Sequence, residues 1–264
     1  AILQDEVVGE AARDLFADAQ AMLKDIVDNK LLKAQGIIGF WPAAQQNLND
    51  VVLFESDARE QETARFCFLR QQSIKAQGIP NLSLADYIAP QDSGVPDYMG
   101  GFAVTTGIGA DELALKYQSE NNDYNALMVK ALADRLAEAF AELMHLKVRT
   151  QYWSYANQEN LSNDDLLKEK YRGIRPAPGY PACPEHSDKV TLFSLLGIDG
   201  TIGMELTESF AMHPAASVSG FYFAHPESRY FSVGKIDKDQ VESISERKGL
   251  REEEVEVLLR PNIV

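Results

Sequence analysis

The chain has 264 residues, a net charge of −15 at neutral pH, and 45% hydrophobic and 25% charged residues. It is long enough to bury a sizeable core, and its composition is ordinary for a soluble globular protein. The acidic balance argues against a nucleic-acid backbone as partner, because such binding depends on clustered Lys and Arg, and no apolar run approaches the roughly 20 residues of a membrane-spanning helix.

The two cysteines, Cys67 and Cys183, are far apart and show no metal-type spacing. No signal-peptide pattern is visible at the N-terminus. We therefore expect reduced thiols in a cytoplasmic protein. The chain starts without a methionine and close to a helix, so we also expect a fragment of a longer chain.

The N-terminal third is predicted to contain two helices and two strands. Apolar side chains recur at three- and four-residue steps over residues 5–29, which indicates an amphipathic helix. Residues 36–41 indicate a short buried strand that Pro42 ends, and residues 51–54 a neighbouring strand. The heavily charged segment 58–76 is predicted to form a second helix.

A connection, a strand and a helix follow. Residues 82–98 contain three breakers and indicate a surface connection, with a short helical turn at residues 84–88. Residues 100–106 are predicted to form a strand, and a Gly-x-Gly turn leads into a helix at residues 111–120. The third glycine of a dinucleotide site is missing, so we interpret this as a simple strand-to-helix turn.

Residues 123–152 are the longest periodic segment and should form the central helix. Asp134 and Glu138 stand four residues apart on it, where like charges repel by a few tenths of a kcal/mol. Lys130 and Arg135 could neutralise them on a solvated face. The alternative is a carboxylate pair that meets a cationic ligand or a histidine of a partner.

The remaining chain is predicted to form helices and a small sheet. Ser162 is a good N-cap for a short helix, and a further helix should end at Gly197. Alternating apolar residues indicate antiparallel strands at residues 203–210, 216–223 and 230–233. The last two helices are predicted at residues 238–248 and 252–259. Together the elements indicate an α+β fold, a single domain with a small antiparallel sheet and long flanking helices.

Residues 173–186 concentrate rigid backbone and reactive side chains. Four prolines fix the backbone there and remove donors, so the segment is predicted to be an ordered loop. Arg175 presents a planar fork that suits bidentate capture of a carboxylate or phosphate, or it pairs with a local carboxylate. Ala177 and Gly179 are small enough for a ligand to lie against the main chain.

Cys183 and His186 of the same loop could form a nucleophile with its base or part of a metal site. The other histidines, His145, His213 and His225, stand at no ligand spacing. We therefore favour a structural thiol and an ordinary loop histidine.

Residues 175–186, Arg-Pro-Ala-Pro-Gly-Tyr-Pro-Ala-Cys-Pro-Glu-His, resemble the C-terminal activation domain of cobalamin-dependent methionine synthases. Four further segments resemble the same family, at residues 128–142, 159–163, 206–212 and 217–220. The resemblance implies one C-shaped α+β domain over residues 1–264 that binds S-adenosylmethionine in a shallow groove. It also implies that a neighbouring domain holds the cobalamin, which is reductively methylated after oxidation to cob(II)alamin, with the electron from flavodoxin or a related flavoprotein.

The resemblance assigns the proline-rich loop to ligand binding. It implies that Arg175 holds the carboxylate of the ligand's methionine portion. Ala177 and Gly179 are implied to contact the ligand through main-chain groups. Tyr180 would then lie where the loop meets the corrin.

Five further residues receive roles from the resemblance. Tyr230 and Phe231 match a second binding stretch, and Glu138 would lie near the positive end of the ligand. Asp134 matches a position that contacts the displaced histidine of the cobalamin domain. His186 is expected, with Asp134, to take part in docking.

One feature of the family is missing. An acidic residue in an upstream Asp-Trp segment lies outside this chain, so we expect weaker binding of S-adenosylmethionine by the isolated chain. We also expect no turnover by the chain alone. The alternative is a non-catalytic docking module for flavodoxin or the cobalamin domain, and a Cys183–His186 hydrolase is a third hypothesis.

Overall fold

The computed structural model describes residues 2–198 and 200–264. The helices within them are α1 (Gly9–Asp28), α2 (Ala110–Ser119), α3 (Asp123–Lys147), α4 (Asn163–Leu167), α5 (Asp188–Leu196), α6 (Lys238–Lys248) and α7 (Glu252–Leu259). The strands are β1 (Lys33–Gln46), β2 (Asp50–Phe54), β3 (Glu62–Cys67), β4 (Asp97–Ile108), β5 (Glu205–Leu206), β6 (Met212–His213) and β7 (Ser217–Tyr222).

Five strands form one antiparallel sheet in the order β3-β2-β1-β4-β7, and β5 pairs with β6. The structure therefore confirms the α+β class. Among the described residues, no helix combines the length and the apolar character needed to cross a bilayer.

The chain divides into two compact units, each with its own core. The first comprises residues 2–36, 104–142 and 200–218. Its core brings α1 against α3 through buried side chains that include Met22, Ile26, Met128 and Val129. The hydroxyl of Thr106 donates to the Ala133 carbonyl at 2.7 Å, which fixes β4 against α3.

The second unit comprises residues 37–103, 143–198 and 219–264. One of its cores joins the last two helices to the end of β3 and is formed by Cys67, Leu69, Val233, Ile236, Val241, Ile244, Val255 and Leu259. Beside it, Phe66 of β3 and Phe68, just after that strand, pack edge-to-face on Phe221 of β7 at 4.8 and 5.9 Å. Such aromatic contacts contribute about 0.5–1.5 kcal/mol each beyond their buried area.

The structure confirms most of the predicted helices. The bounds of α6 and α7 and the end of α5 agree with the sequence pattern, and α1 and α2 differ from it by a few residues. Ser162 caps α4 in a capping box with Asp165, and Gly197 ends α5 in the left-handed region at φ 61°. The helical turn expected at residues 84–88 is the 3₁₀ turn Leu84–Tyr87, although most of its side chains are buried.

The helix predicted at residues 58–76 is wrong. This segment contains β3, whose residues pair with β2 in a register that sets Leu53 opposite Ala64. Phe66 and Phe68, two residues apart, both enter the aromatic core. Burial at a two-residue step against a neighbouring strand outweighs the local charge pattern that suggested a helix.

The predicted end of β1 at Pro42 is also wrong, because the strand continues to Gln46. Its pairing with β2 begins at Ala43, opposite Leu53. The proline therefore lies outside that ladder, and its missing N–H removes none of the bonds between these paired residues.

Two of the predicted C-terminal strands need correction. The segment 203–210 contains only the two residues of β5. Residues 230–233 form no strand, because their contacts go elsewhere. Tyr230 accepts a bond from the Arg175 N–H, and the Val233 N–H donates to the Pro181 carbonyl at 2.8 Å.

Candidate functional site

The proline-rich loop closes on itself through main-chain bonds. Tyr180 N–H donates to the Ala177 carbonyl at 3.1 Å, and Cys183 N–H donates to the Tyr180 carbonyl at 2.9 Å. Gly179 N–H donates to the Cys183 carbonyl at 2.7 Å. These bonds satisfy much of the loop's backbone without a helix or sheet, so the structure confirms an ordered loop.

The start of the loop is attached to β7 and the residues after it. Ile174 and Phe223 exchange two main-chain bonds of 3.0 Å, and Phe221 N–H donates to the Pro176 carbonyl at 2.8 Å. Gly220 permits this approach, because a Cβ there would lie only 2.6 Å from the Pro176 oxygen. The loop therefore begins as an extension of the sheet's edge.

Gly179 holds the turn of the loop in a conformation that favours glycine, with φ at +95°. A Cβ on Gly179 would overlap the imidazole of His186. His186 is exposed, and its Nδ1 lies 2.7 Å from Lys189 Nζ. Partial burial and the Lys189 ammonium both lower the pKa of His186.

Arg175 is half-buried, and two groups hold one corner of its guanidinium. Its Nη1 lies 3.2 Å from His145 Nδ1 and 3.1 Å from the hydroxyl of Tyr171. Its main-chain N–H donates to the Tyr230 hydroxyl at 3.0 Å, and the Tyr171 and Tyr230 hydroxyls are 3.4 Å apart. Side chain and backbone of Arg175 are thus fixed by different tyrosines.

His145 lies in the last turn of α3 and is completely buried. Its ring stacks on Tyr222 with 5.3 Å between centroids, and Nε2 lies 3.4 Å from the Tyr155 hydroxyl. Burial lowers the pKa of His145 well below its usual value, and the charges of Arg149 and Arg175 lower it further. Because a guanidinium can only donate, Nδ1 is the acceptor and Nε2 carries the proton.

The buried, neutral His145 predicts a stability that depends on pH. The unfolded chain binds a proton on this residue near pH 6.5, and the folded chain does not. The unfolded state therefore binds more protons below that pH, and the contribution present above pH 6.5 is lost as the pH falls. We expect the free energy of unfolding to decrease by up to about 1.4 kcal/mol per pH unit there.

Urea denaturation of the parent and of His145→Leu at a series of pH values measures this effect. The variant should show the flatter dependence below pH 6.5. Asp188, whose pKa burial raises to about 6, titrates in the same window but cancels in the comparison. Equal slopes for both proteins would contradict a neutral His145.

Behind Tyr171 lies a buried ion pair. Arg149 is completely buried and donates to both carboxylate oxygens of Glu159, at 2.8 and 2.7 Å. Its guanidinium carbon lies 4.3 Å from the centre of the Tyr171 ring, at cation–π distance. The ion pair therefore supports the tyrosine that contacts Arg175.

The other predicted site residues of the second unit differ in how exposed they are. Tyr180 is 59% exposed at the turn of the loop. Ala177 and Gly179 are half-buried beside it. Phe231 packs on the core of α6 and α7 and meets Tyr87 edge-to-face at 6.5 Å.

Asp134 and Glu138 lie on α3 in the first unit, and both are exposed. Lys130, which could have neutralised them, instead pairs with Asp111 at 3.3 Å. Within the described residues neither Asp134 nor Glu138 forms an ion pair. Their carboxylates are thus accessible to solvent.

The structure contradicts a nucleophilic role for Cys183. Its thiol is buried and lies 3.8 Å from an oxygen of Asp188, whereas His186 faces Lys189. Burial raises the pKa of Cys183 well above its usual value, and the nearby carboxylates of Asp188 and Glu185 add to the effect. In the described part of the chain, no three His, Cys, Asp or Glu side chains are arranged to hold a metal ion.

Sequence reasoning missed the residues that support Arg175. His145 and Arg149 continue a stripe at four-residue steps along α3 and the turn after it, which is buried throughout and consists of Val129, Ala133, Ala137, Ala141, His145 and Arg149. The neighbouring stripe of larger apolar residues is the stronger periodic signal and does not include them. Polar residues that continue a stripe of small apolar ones were the available signal.

Two comparisons relate the chain to known proteins. The family model described as the activation domain of vitamin B12 dependent methionine synthase matches residues 1–249. A solved structure, the MetH reactivation domain bound to AdoHcy, is similar with a TM-score of 0.95 and 51% sequence identity. The match covers 99% of this chain and 80% of that one.

Proposed function

The chain belongs to the family of activation domains of vitamin B12-dependent methionine synthase, and we propose that its Arg175 loop binds S-adenosylmethionine. It is thus a reactivation module of a methyltransferase. The proposal is supported by the ligand of the similar structure, AdoHcy, which is S-adenosylmethionine without the transferred methyl group.

The arrangement of Arg175 carries the proposal. Its guanidinium is only half-buried and is held through Nη1 by His145 and Tyr171. A fixed, planar, permanently charged group suits the carboxylate of the ligand's methionine portion. Within the described residues the Ala177 N–H has no acceptor, so it is the main-chain donor that we expect to reach the ligand.

Gly179 and the tyrosines complete the proposed contact. The Gly179 N–H is already bonded to the Cys183 carbonyl, so Gly179 would contact the ligand through its carbonyl or Cα. Tyr230 accepts the bond from the Arg175 main-chain N–H, and its ring would flank the ligand. Phe231 would support this stretch from the core.

The proposed reaction is a methyl transfer from a sulfonium to the cobalt of a corrinoid on a neighbouring domain. A corrinoid held by the neighbouring domain would serve as methyl acceptor, with one electron supplied by flavodoxin or a related flavoprotein. S-adenosylhomocysteine leaves with the electron pair of the broken C–S bond. A sulfonium needs alignment with its acceptor rather than proton transfer, so binding and orientation are what this chain supplies.

The docking roles remain part of the proposal. The exposed ring of Tyr180 and the exposed imidazole of His186 are at the surface of the loop, where a partner domain can reach them. Asp134 would contact that domain from α3. The role of Glu138 near the positive end of the ligand stays a prediction of the resemblance, and its carboxylate is exposed on α3.

Calorimetry with S-adenosylmethionine tests the proposal directly. We expect saturable binding with one site per chain. Decarboxylated S-adenosylmethionine, which keeps the nucleoside and the sulfonium but lacks the carboxylate, should bind at least about tenfold more weakly, since a charge-assisted bond is lost. Equal affinities for the two ligands, or no heat from either, would refute the assignment of the loop.

A further inference from the structure

We propose that His145 and Tyr171 are positioning residues that set the orientation of Arg175 for the ligand's carboxylate. The inference rests on the proposed function and adds two residues to it. Neither residue is expected to touch the carboxylate. Their role would be to hold the group that does.

The geometry at Nη1 supports this role. His145 Nδ1 and the Tyr171 hydroxyl lie 3.2 and 3.1 Å from the same nitrogen of Arg175. Because the guanidinium is planar and rigid, two contacts at one corner fix the plane of the whole group. A side chain ordered before binding loses less conformational freedom when the ligand arrives.

Both positioning residues are themselves fixed. His145 is completely buried, stacks on Tyr222, and meets Tyr155 through its other ring nitrogen. Tyr171 is buried and meets the His145 ring edge-to-face at 5.0 Å. The two residues therefore brace each other as well as Arg175.

The buried ion pair contributes to the same arrangement. Arg149 lies over the face of the Tyr171 ring and occupies both oxygens of Glu159. The carboxylate of Glu159 is therefore directed at Arg149. Tyr171 is held on its ring face by this cation and at its hydroxyl by the neighbouring Tyr230.

The experiment compares two ligands in three variants. Tyr171→Phe removes the hydroxyl and keeps the ring, and His145→Leu removes the acceptor. His145→Asn offers an amide oxygen close to the position of Nδ1. Calorimetry is run with S-adenosylmethionine and with decarboxylated S-adenosylmethionine, which keeps the sulfonium and lacks the carboxylate.

We expect S-adenosylmethionine to bind about tenfold more weakly to Tyr171→Phe and to His145→Leu, as expected for one lost bond to a charged group. In both variants the affinity for the decarboxylated ligand should stay within about twofold of the parent value. His145→Asn should recover most of the affinity for S-adenosylmethionine that His145→Leu loses. In an Arg175→Ala background the two substitutions should cost nothing further, because coupled residues are not additive. Tyr98→Phe, which loses a tyrosine–Asp57 bond elsewhere, is the matched control.

Two other outcomes would contradict the positioning role of His145 and Tyr171. Equal losses for both ligands, or losses that persist without Arg175, would show a merely structural role and overturn the inference. If Arg175→Ala itself leaves affinity unchanged, the proposed function fails instead. If His145→Leu does not fold, the nearly isosteric Tyr171→Phe still gives the answer.

Discussion

Replacement of Arg175 by alanine should weaken S-adenosylmethionine binding by about 100-fold. A carboxylate bound in bidentate fashion loses two charge-assisted hydrogen bonds, which together contribute about 3 kcal/mol. Each 1.4 kcal/mol corresponds to about tenfold in affinity. The fold should be retained, because the Arg175 main-chain N–H still reaches the Tyr230 hydroxyl. Calorimetry of parent and variant measures the change.

Two further variants sharpen this result. Arg175→Lys keeps the charge and loses the planar fork, so it should recover only part of the affinity. Arg172→Ala is the matched control, since that arginine lies three residues away and donates to the main-chain carbonyls of Ala224 and Tyr155. Comparable losses for Arg172→Ala and Arg175→Ala would mean that the loop as a whole, and not its guanidinium, determines binding.

Removal of the buried carboxylate at position 159 should cost most in stability. Glu159→Ala leaves Arg149 buried without its counter-charge, and breaking such pairs costs about 3–5 kcal/mol. The Arg149 guanidinium is completely buried, and the Glu159 side chain is only 6% exposed. We expect the free energy of unfolding, measured by urea titration, to fall by that amount.

The control for this prediction is an exposed pair. Lys238→Ala removes a partner of Glu242 and Glu252 at the surface and should change stability by less than about 1 kcal/mol. The double variant Arg149→Met/Glu159→Leu should regain much of the loss, because no unpaired charge is buried. A Glu159→Ala protein as stable as the parent would mean that water reaches Arg149 readily.

Much of the helical structure could be predicted, because caps and periodicity act locally. Ser162, Gly197 and the long apolar pattern of α3 each specify their element within a few residues. The helix predicted for residues 58–76 is wrong because the structure of this segment depends on contacts with another part of the chain. Its strand exists only because β2 lies beside it, and no local pattern contains that neighbour.

The candidate site was predictable to a similar extent. Arg175 stood out because prolines and small residues surround it in the chain. His145 lies thirty residues earlier and Tyr230 fifty-five later, and only the folded chain brings them to Arg175. The structural thiol favoured for Cys183 is confirmed, since burial makes this thiol unreactive.

The bond from the Arg175 main-chain N–H to the Tyr230 hydroxyl positions the loop backbone without using the guanidinium. The path of the loop is set by backbone atoms, through this bond and the bonds of Pro176 and Ile174 to the end of β7. Recognition at position 175 comes from the side chain, which His145 and Tyr171 contact at Nη1. Ligand preference at this position can therefore be redesigned by changing one side chain while the backbone that carries it stays in place.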